Sequence, residues 1–501
     1  MPISHDKLSA RLADIVGSEP ALAFLRELGG VPSSEEWFLV GGAVRDAAMG
    51  RSGRKDFDFL VRGVSLETLS ERLSALGEVN LVGARFGVLK FRPRGTEQEI
   101  DIAWPRTEHA GGSGGFRDFA VQADPALPVE KDLERRDFTM NAVAWDVRRG
   151  KFIDPFGGLV DIELRIVRAV GNPAVRLAED FSRMLRGIRF SCELAFEIED
   201  ATWQALKRLA SRINDTFSEG AHAGERVVPY ETIAREIVKA LRVNPAKAVG
   251  LLEDSGLLFQ LIPELIPLSS CAQPADHHSE GDVWNHTRLA LANLRSAEMS
   301  RLFPGEWPDA TTAVATLFHD IAKPQTAAVG AKGQTVFYGH AEQGAEVAVR
   351  IAERLKLASA GVDTERLEWL VKMHLVPNML RVDEVKRTTL EKHFLRDREA
   401  GRQLLQLACA DASASVREDG GSSLGNLEEL LKVLAVLDKR SGGAGAAKSL
   451  LSGEEVMMLT GVGSGPQIGQ LLEALREAQL SGRVSSADSA KEFLLAAHLK
   501  V

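Results

Sequence analysis

Asp56 and Asp58 are separated only by Phe57 in the run Asp56-Phe57-Asp58-Phe59-Leu60-Val61, whose apolar character predicts a strand over Asp56 to Val61. Alternate side chains of a strand share a face, so both carboxylates are expected on one side with Phe57 turned into the core. Two acids placed together repel unless a cation sits between them, and an all-oxygen pair suits Mg²⁺. Asp101, in Glu99-Ile100-Asp101-Ile102-Ala103, lies on another expected strand and is a candidate third carboxylate. Upstream, Leu39-Val40-Gly41-Gly42-Ala43-Val44-Arg45-Asp46 puts two glycines where a strand hands over to a helix. Glycine lets backbone come close to a phosphate, a helix N-terminus presents free N–H groups, and Arg45 would add a charge-assisted contact. An isolated Asp-x-Asp is commonly a solvated edge; behind this glycine turn it reads as a metal site.

Histidines form a second set. His277-His278-Ser-Glu280-Gly-Asp282-Val-Trp-Asn-His286-Thr287 is followed by Leu317-Phe-His319-Asp320-Ile-Ala-Lys323, Gly339-His340, His374 and Ala410-Asp411. Any one of them alone would pass for a packed or surface residue. An adjacent His-Asp pair on a helix, with an earlier His and a later Asp, supplies imidazole and carboxylate ligands for a divalent metal. A metal so held could activate a bound water.

Glu179, Asp180 and Arg183 are spaced to share one helical turn, where mutual contact would hold them rigid. The plain reading is a surface ion pair. The chemical one is base selection: a carboxylate accepts from the exocyclic amine of cytosine or adenine while arginine donates to a ring acceptor. Uracil and guanine lack that amine and would be refused.

These residues need rigid elements beneath them. Residues 1 to about 36 read as a helical lead-in, with Leu8, Leu12 and Ile15 at helical spacing. Trp37 to Val40 reads as a buried strand, Val44 to Met49 as the start of a helix, and Val88–Phe91, Ile100–Trp104 and Ala142–Trp145 as further strands. Mixed strands and helices therefore make a head at 1–165. From Val175 onward the pattern is helical almost without interruption. Gly/Ser-rich breaks near 110–115, 419–425 and 441–445 divide it into a neck and body at 166–270, a histidine-bearing domain at 271–420 and a tail at 421–501. In the tail, Pro466 suits a first helical turn, and Leu471, Leu472, Leu475 and Ala478 form its buried face.

A chain of 501 residues is expected to form several domains, and 45% hydrophobic with 26% charged residues is ordinary for a soluble protein. The net charge of −9 means that any nucleic-acid surface must be made by segregating arginines. Cys192, Cys271 and Cys409 are too few and too scattered for a disulfide framework or a zinc cluster, and they fit a reducing compartment. No apolar run approaches membrane-spanning length and Met1 to Arg11 has no apolar signal core, so a cytoplasmic, non-membrane protein is expected.

The chain resembles the class II tRNA nucleotidyltransferase and bacterial poly(A) polymerase family. Leu-Val-Gly-Gly-Ala-Val-Arg-Asp through Asp-Phe-Asp matches its first motif, and Asp132-Leu-Glu-Arg-Arg-Asp-Phe-Thr-Met-Asn141-Ala its second. Asp154-Pro-Phe-Gly-Gly158 with Asp161 matches the third, and Glu179-Asp180-Phe-Ser-Arg183-Met-Leu-Arg186-Gly-Ile-Arg189-Phe the fourth. The resemblance implies an α+β protein: a polymerase-β-like nucleotidyltransferase head with a small mixed sheet, then all-α neck, body, HD and tail domains. It implies that Gly41, Gly42, Arg45, Arg136, Arg186 and Arg189 face the incoming nucleotide, that Asp137 and Asn141 shape its pocket, and that Glu179, Asp180 and Arg183 act as a protein template. Asp56 and Asp58, with Asp101, would hold Mg²⁺ for in-line attack by an RNA 3′-hydroxyl and release of pyrophosphate.

The histidine segment looks like the HD phosphohydrolase superfamily, with His286, His319, Asp320 and Asp411 in the ligand positions and His340 and His374 in support. A divalent transition metal or Mg²⁺ is expected there. Two departures stand out. The family usually carries proline where this chain has Phe181, and Glu-Arg-Ile where it has Glu231-Thr232-Ile233. The polar, glycine-rich stretch between Pro105 and Asp132, with Arg106 and Glu108, corresponds to a flexible loop that in the family helps switch from CTP to ATP.

The leading expectation is addition of C and A to the tRNA 3′ end from CTP and ATP. Alternatives are an A-only tRNA nucleotidyltransferase or poly(A) polymerase, and, of different class, an HD phosphohydrolase with an RNA-binding head. Leu81-Val-Gly-Ala-Arg-Phe-Gly87 looks more like the CCA-adding type than the arginine-rich equivalent of poly(A) polymerases.

Overall fold

The computed structural model describes residues 3–28, 32, 34–51, 56–81, 87–220, 222–274, 278–331, 333–415, 424–440 and 449–498. The chain is α+β and divides into two compact units, 1–243 with 247–263, and 244–246 with 264–501. Among the described residues no helix is long and apolar enough to cross a membrane. His277, 82–86, 419–423 and 441–445 of the sequence features above lie outside the described residues.

In the first unit, strands β1 (Glu36–Val40), β2 (Asp58–Arg62), β3 (Gly77–Leu81), β4 (Val88–Pro93), β5 (Ile100–Ala103), β8 (Ala144–Asp146) and β9 (Phe152–Ile153) form one mixed sheet in the order β3-β4-β5-β2-β1-β8-β9. Strands β6 (Arg106–Ala110) and β7 (Phe119–Ala123) pair separately. β1 is an unbroken apolar run because both of its faces are covered. Trp37 and Leu39 enter a core with Phe59, Phe91 and Ile102, while Phe38 and Val40 pack on the other side with Leu60, Leu133 and Ala144. The lead-in helix His5–Ser18 buries Leu8 and Leu12 against the first of these cores.

Three expectations need correction. The strand expected over Asp56–Val61 starts at Asp58, which leaves Asp56 exposed in the approach and Phe57 buried. The stretch after Pro105, expected as a loop, folds into the β6–β7 hairpin. Glu179, Asp180 and Arg183 do not share one helix: Pro173–Glu179 ends at Asp180, whose φ of −149° and ψ of 105° are extended, and a second helix runs from Ser182 to Leu194. The break is stabilised by Asp180 itself, whose carboxylate accepts the Ser182 N–H at 2.9 Å.

In the second unit, helices Val283–Asn293, Ala310–Phe318, His340–Arg354, Thr364–Met373 and Arg398–Ala414 pack around the histidines. The tail helices Gly453–Thr460, Pro466–Leu480 and Ala487–His498 enclose their own core of Val456, Leu471, Leu475, Ala478 and Leu494. Leu472, expected in that buried face, is partly buried at its edge.

Candidate functional site

Register places the head acids. Val40 is paired with Asp58 across the antiparallel β1–β2 ladder, and Asp58 with Asp101 across the parallel β2–β5 ladder. The residue after Val40 is Gly41, at φ +71°, where a Cβ would lie 3.1 Å from Arg136 Nη1 and 3.6 Å from Asp58 Oδ2. Only glycine therefore leaves the space above the carboxylate open. Burial, and then the charges of Asp101 and Asp56, hold the Asp58 carboxyl above its ordinary range against the pull of Arg136. A half-buried oxygen donor crowded by two like charges fits a hard divalent cation. Lys90, 3.7 Å from Asp101, supplies part of the compensation.

A cavity of about 730 Å³ opens above Gly41, Gly42, Asp56 and Asp58 and is walled by Arg45, Arg136, Asp137, Asn141, Asp180, Arg183, Arg186 and Arg189. Asp101 and Glu179 are not on its wall. Arg45 is 2% exposed and is spent within the protein: it pairs with Asp46 and donates to Asn141 Oδ1 at 2.7 Å. Asp137 accepts from Asn141 and from Arg186 Nε at 2.8 Å; burial would raise its pKa, but Arg186 brings it down to about 2. Arg136 donates to buried Asp132 and to the Asn141 carbonyl. The wall is thus a continuous set of charge-assisted bonds holding the cations in fixed orientations.

Glu179 serves from behind. Its Oε2 accepts from Arg183 at 2.6 Å and from Arg176 at 2.7 Å, and Arg183 also donates from Nη1 to the Arg176 carbonyl and from Nη2 to the Arg135 carbonyl. The side chain of Arg183 is only 8% exposed, so its position is set before any base arrives. Arg189 is fixed likewise by Glu236 at 2.5 Å and Glu193 at 2.6 Å, with its guanidinium 4.0 Å from the Phe190 ring centroid.

Arg135 and Lys239, given no role from the sequence, also line the cavity, as do Arg106 and Glu108 of the stretch expected as a switching loop. Arg135 donates to Glu108 at 2.5 Å and Arg106 to Glu108 at 3.1 Å, joining the hairpin to the wall. Polar residues in a glycine-rich stretch gave no strand signal, but the arginine pair 135–136 before Asp137 was a signal for cations. Thr232, where the family carries arginine, is not on the cavity wall; Glu236 and Lys239, four and seven residues later on Tyr230–Val243, serve the site from that helix.

In the second unit the histidines converge. His286 Nε2 lies 2.9 Å from Asp411 Oδ1, and His319 Nε2 lies 3.3 Å from Asp320 Oδ2. The other oxygen of Asp320 is 3.5 Å from His340 Nε2 and 3.8 Å from His374 Nε2. His286–His319–Asp320 and Asp320–His340–His374 each bring three donor atoms within 4.8 Å of one another. Asp320 belongs to both groups. His319, His340 and His374 each use Nδ1 on the carbonyl three residues earlier, of Thr316, Phe337 and Val371, at 2.7–2.8 Å. Each Nε2 lone pair is thereby turned inward.

His286 Nδ1 instead meets Glu280 Oε1 at 2.9 Å, and that oxygen also meets His278 Nδ1 at 2.7 Å. Burial would strip the proton from His286, but Asp411 and Glu280 raise its pKa to about 9. Burial, and after it the neighbouring His319, lower His374 to about 4. Among the described residues the buried His319 Nε2 has no hydrogen-bond partner. A bare imidazole nitrogen facing carboxylates in a closed cluster fits a divalent metal with mixed N and O ligands. Lys323 Nζ, 2.7 Å from Asp320 and 2.8 Å from Gln273 Oε1, is a further cation at this cluster. Glu280 and Lys323 were visible in the sequence as neighbours of the histidines and were assigned no role.

Comparison with known proteins gives two family matches: a poly A polymerase head domain over residues 37–168 and an HD domain over 283–439. The chain is 36% identical over 375 residues to an A-adding tRNA nucleotidyltransferase of Deinococcus radiodurans, covering 73% of this chain and 79% of the relative. It is 36% identical over 374 residues to a CC-adding tRNA nucleotidyltransferase of Thermus thermophilus, covering 73% of this chain and 77% of the relative. In fold it is similar to a Thermotoga maritima CCA-adding enzyme complexed with tRNA, at TM-score 0.58 and 20% identity over 99% of this chain and 100% of that one.

Proposed function

The chain belongs to the tRNA nucleotidyltransferase and poly(A) polymerase family, and from that premise we propose that it builds or repairs the CCA end of tRNA from CTP and ATP. The observation that carries this reading is the meeting, on one cavity, of the Asp56/Asp58 pair with Asp180, Arg183 and the hairpin residues Arg106 and Glu108. Asp180 accepts from the exocyclic amine of C or A, and Arg183, held by Glu179, donates to the ring. Arg136, Arg186 and Arg189 bind and orient the triphosphate, and Gly41 and Gly42 let it approach the carboxylates. Asp56 and Asp58 would hold Mg²⁺, with Asp101 beside them; when bound, the metal acidifies the attacking 3′-hydroxyl and neutralises phosphate charge. No side chain forms a covalent bond to the substrate. In this reading residues 1–165 perform transfer, 166–270 select the base and hold the RNA, 271–420 form the HD domain and 421–501 a structural tail.

The test is incorporation of labelled CTP and ATP, alone and together, into tRNA ending before CCA, after C and after CC. Two C additions closed by one A support CCA synthesis. The names of the two relatives, one A-adding and one CC-adding, favour a second reading in which this enzyme performs one part of the task. A single A on CC-ended tRNA alone, or two C residues with no closing A, would establish it. Long A tails would mean polyadenylation.

For the HD domain we propose water-dependent phosphoester cleavage at damaged tRNA ends, as a phosphatase or 2′,3′-cyclic phosphodiesterase. His286, His319, Asp320 and Asp411 would hold the metal, with His340 and His374 placed for a second ion or a phosphate.

A further inference from the structure

Phe181 stands at the junction between the helix ending in Glu179 and the helix carrying Arg183, and it touches the hairpin. Its backbone N–H donates to the Gly114 carbonyl at 2.9 Å. Its ring is 1% exposed and fills the space beside Gly114: a Cβ on Gly114 would sit 2.2 Å from the ring, and Gly114 has φ +83°. Residues 114 and 181 are therefore matched. One must lack a side chain, and the other must supply both an N–H and a ring. Proline has no N–H to give and could not make this bond.

The same tip is held from its flanks. Arg117 pairs with Glu225 at 2.5 Å, and the Arg212 guanidinium lies 4.9 Å from the Phe181 ring centroid. The hairpin's other end carries Arg106 and Glu108, which share the cavity wall with Asp180 and Arg183. Pinning the tip to the junction fixes the distance between these two parts of the wall.

We propose that Phe181 is a positioning residue for nucleotide selection: by locking the hairpin tip onto the helix junction, it keeps the base pocket at one spacing. The proposal rests on the reading of Asp180 and Arg183 as base selectors. A pocket held at one spacing discriminates by mismatch, because a base lacking the amine gives Asp180 no donor and the wall cannot move to compensate.

The experiment compares wild type, Phe181→Pro, Phe181→Leu and Gly114→Ala by kcat/KM for each of the four nucleoside triphosphates, on tRNA lacking CCA and on tRNA ending in CC. Phe181→Pro removes N–H and ring, Phe181→Leu keeps the N–H, and Gly114→Ala pushes the ring away without altering residue 181. The ratios of CTP over UTP and of ATP over GTP are expected to fall at least about tenfold in Phe181→Pro and Gly114→Ala, and less in Phe181→Leu. Ratios that stay constant, or correct and incorrect nucleotides that decline in parallel, would show a merely structural role and overturn the proposal. Phe181→Leu and Gly114→Ala keep the comparison open should the proline variant not fold. Wild-type protein that adds neither C nor A fails the functional reading itself, and does so before any variant is compared.

Discussion

Asp58 and Asp101 are register partners on neighbouring parallel strands, one half-buried beneath the glycine turn and the other beside Lys90. Burial first, and then the neighbouring charge of Asp101, raises the proton affinity of Asp58, and this has a measurable cost. An acid whose folded pKa lies above its unfolded value weakens the fold once pH rises past it, and relieves the fold as pH falls through it. At neutral pH Asp58→Asn should therefore raise the thermal midpoint of the metal-free protein while cutting nucleotide addition by roughly a thousandfold. A calorimetric scan beside an incorporation assay checks both, and a lowered midpoint would contradict the electrostatic account.

Asp137 has the opposite sign. Its carboxyl is held down to about 2 from an ordinary 3.8 by Arg186, so its charge stabilises the fold above that ordinary value. That contribution should vanish as pH drops from about 4 to about 2. Urea unfolding across this window should give a steep stability curve for wild type and a flatter one for Asp137→Asn.

The histidine cluster should separate from the head by mutation. Asp320 serves both three-donor groups, so Asp320→Ala is expected to abolish phosphoester hydrolysis and leave nucleotide addition intact. Hydrolysis that survives would reject the assignment.

Glu280 should matter without touching the metal. It fixes the outer nitrogen of His286, and Glu280→Gln is expected to weaken metal affinity about 10- to 100-fold by titration, with the head unaffected.

The tail docks through charge. Arg476 of the tail helix pairs with buried Glu391, and Glu477 accepts the N–H groups of Arg387 and Thr388 at 3.0 and 2.8 Å. Arg476→Ala leaves the Glu391 carboxylate buried and unpaired, a loss of about 3 kcal/mol. Hydrogen exchange should rise first in Pro466–Leu480.

The strand Glu36–Val40 and the convergence of the histidines with Asp320 could be read from sequence because burial on both faces leaves an apolar run, and candidate metal ligands are rare residue types at helical positions. The β6–β7 hairpin could not. Arg106-Thr-Glu-His-Ala has no apolar alternation, since among the described residues its strands pair only with each other and are held by Glu108–Arg135 and the Gly114–Phe181 contact. The break at Asp180 was hidden for a related reason: helix-compatible residues flank it, and beside the local Asp180–Ser182 bond the Phe181 N–H is taken by the distant Gly114 carbonyl. The support roles of Glu179, Glu236 and Glu280 depend on what lies across from them, which spacing along the chain does not reveal.

The pairing of Val40 with Asp58 has a consequence for folding fidelity. Side chains in a strand alternate, so a slip of β2 by one residue would turn Asp58 toward the hydrophobic interior and present Phe59 to the nucleotide. The burial of Phe59 beside Trp37 and Phe91 makes that misalignment costly. Aromatic packing on the far side of the sheet thus proofreads the placement of the carboxylates, and molecules that fold with the wrong alignment lose stability and catalysis together.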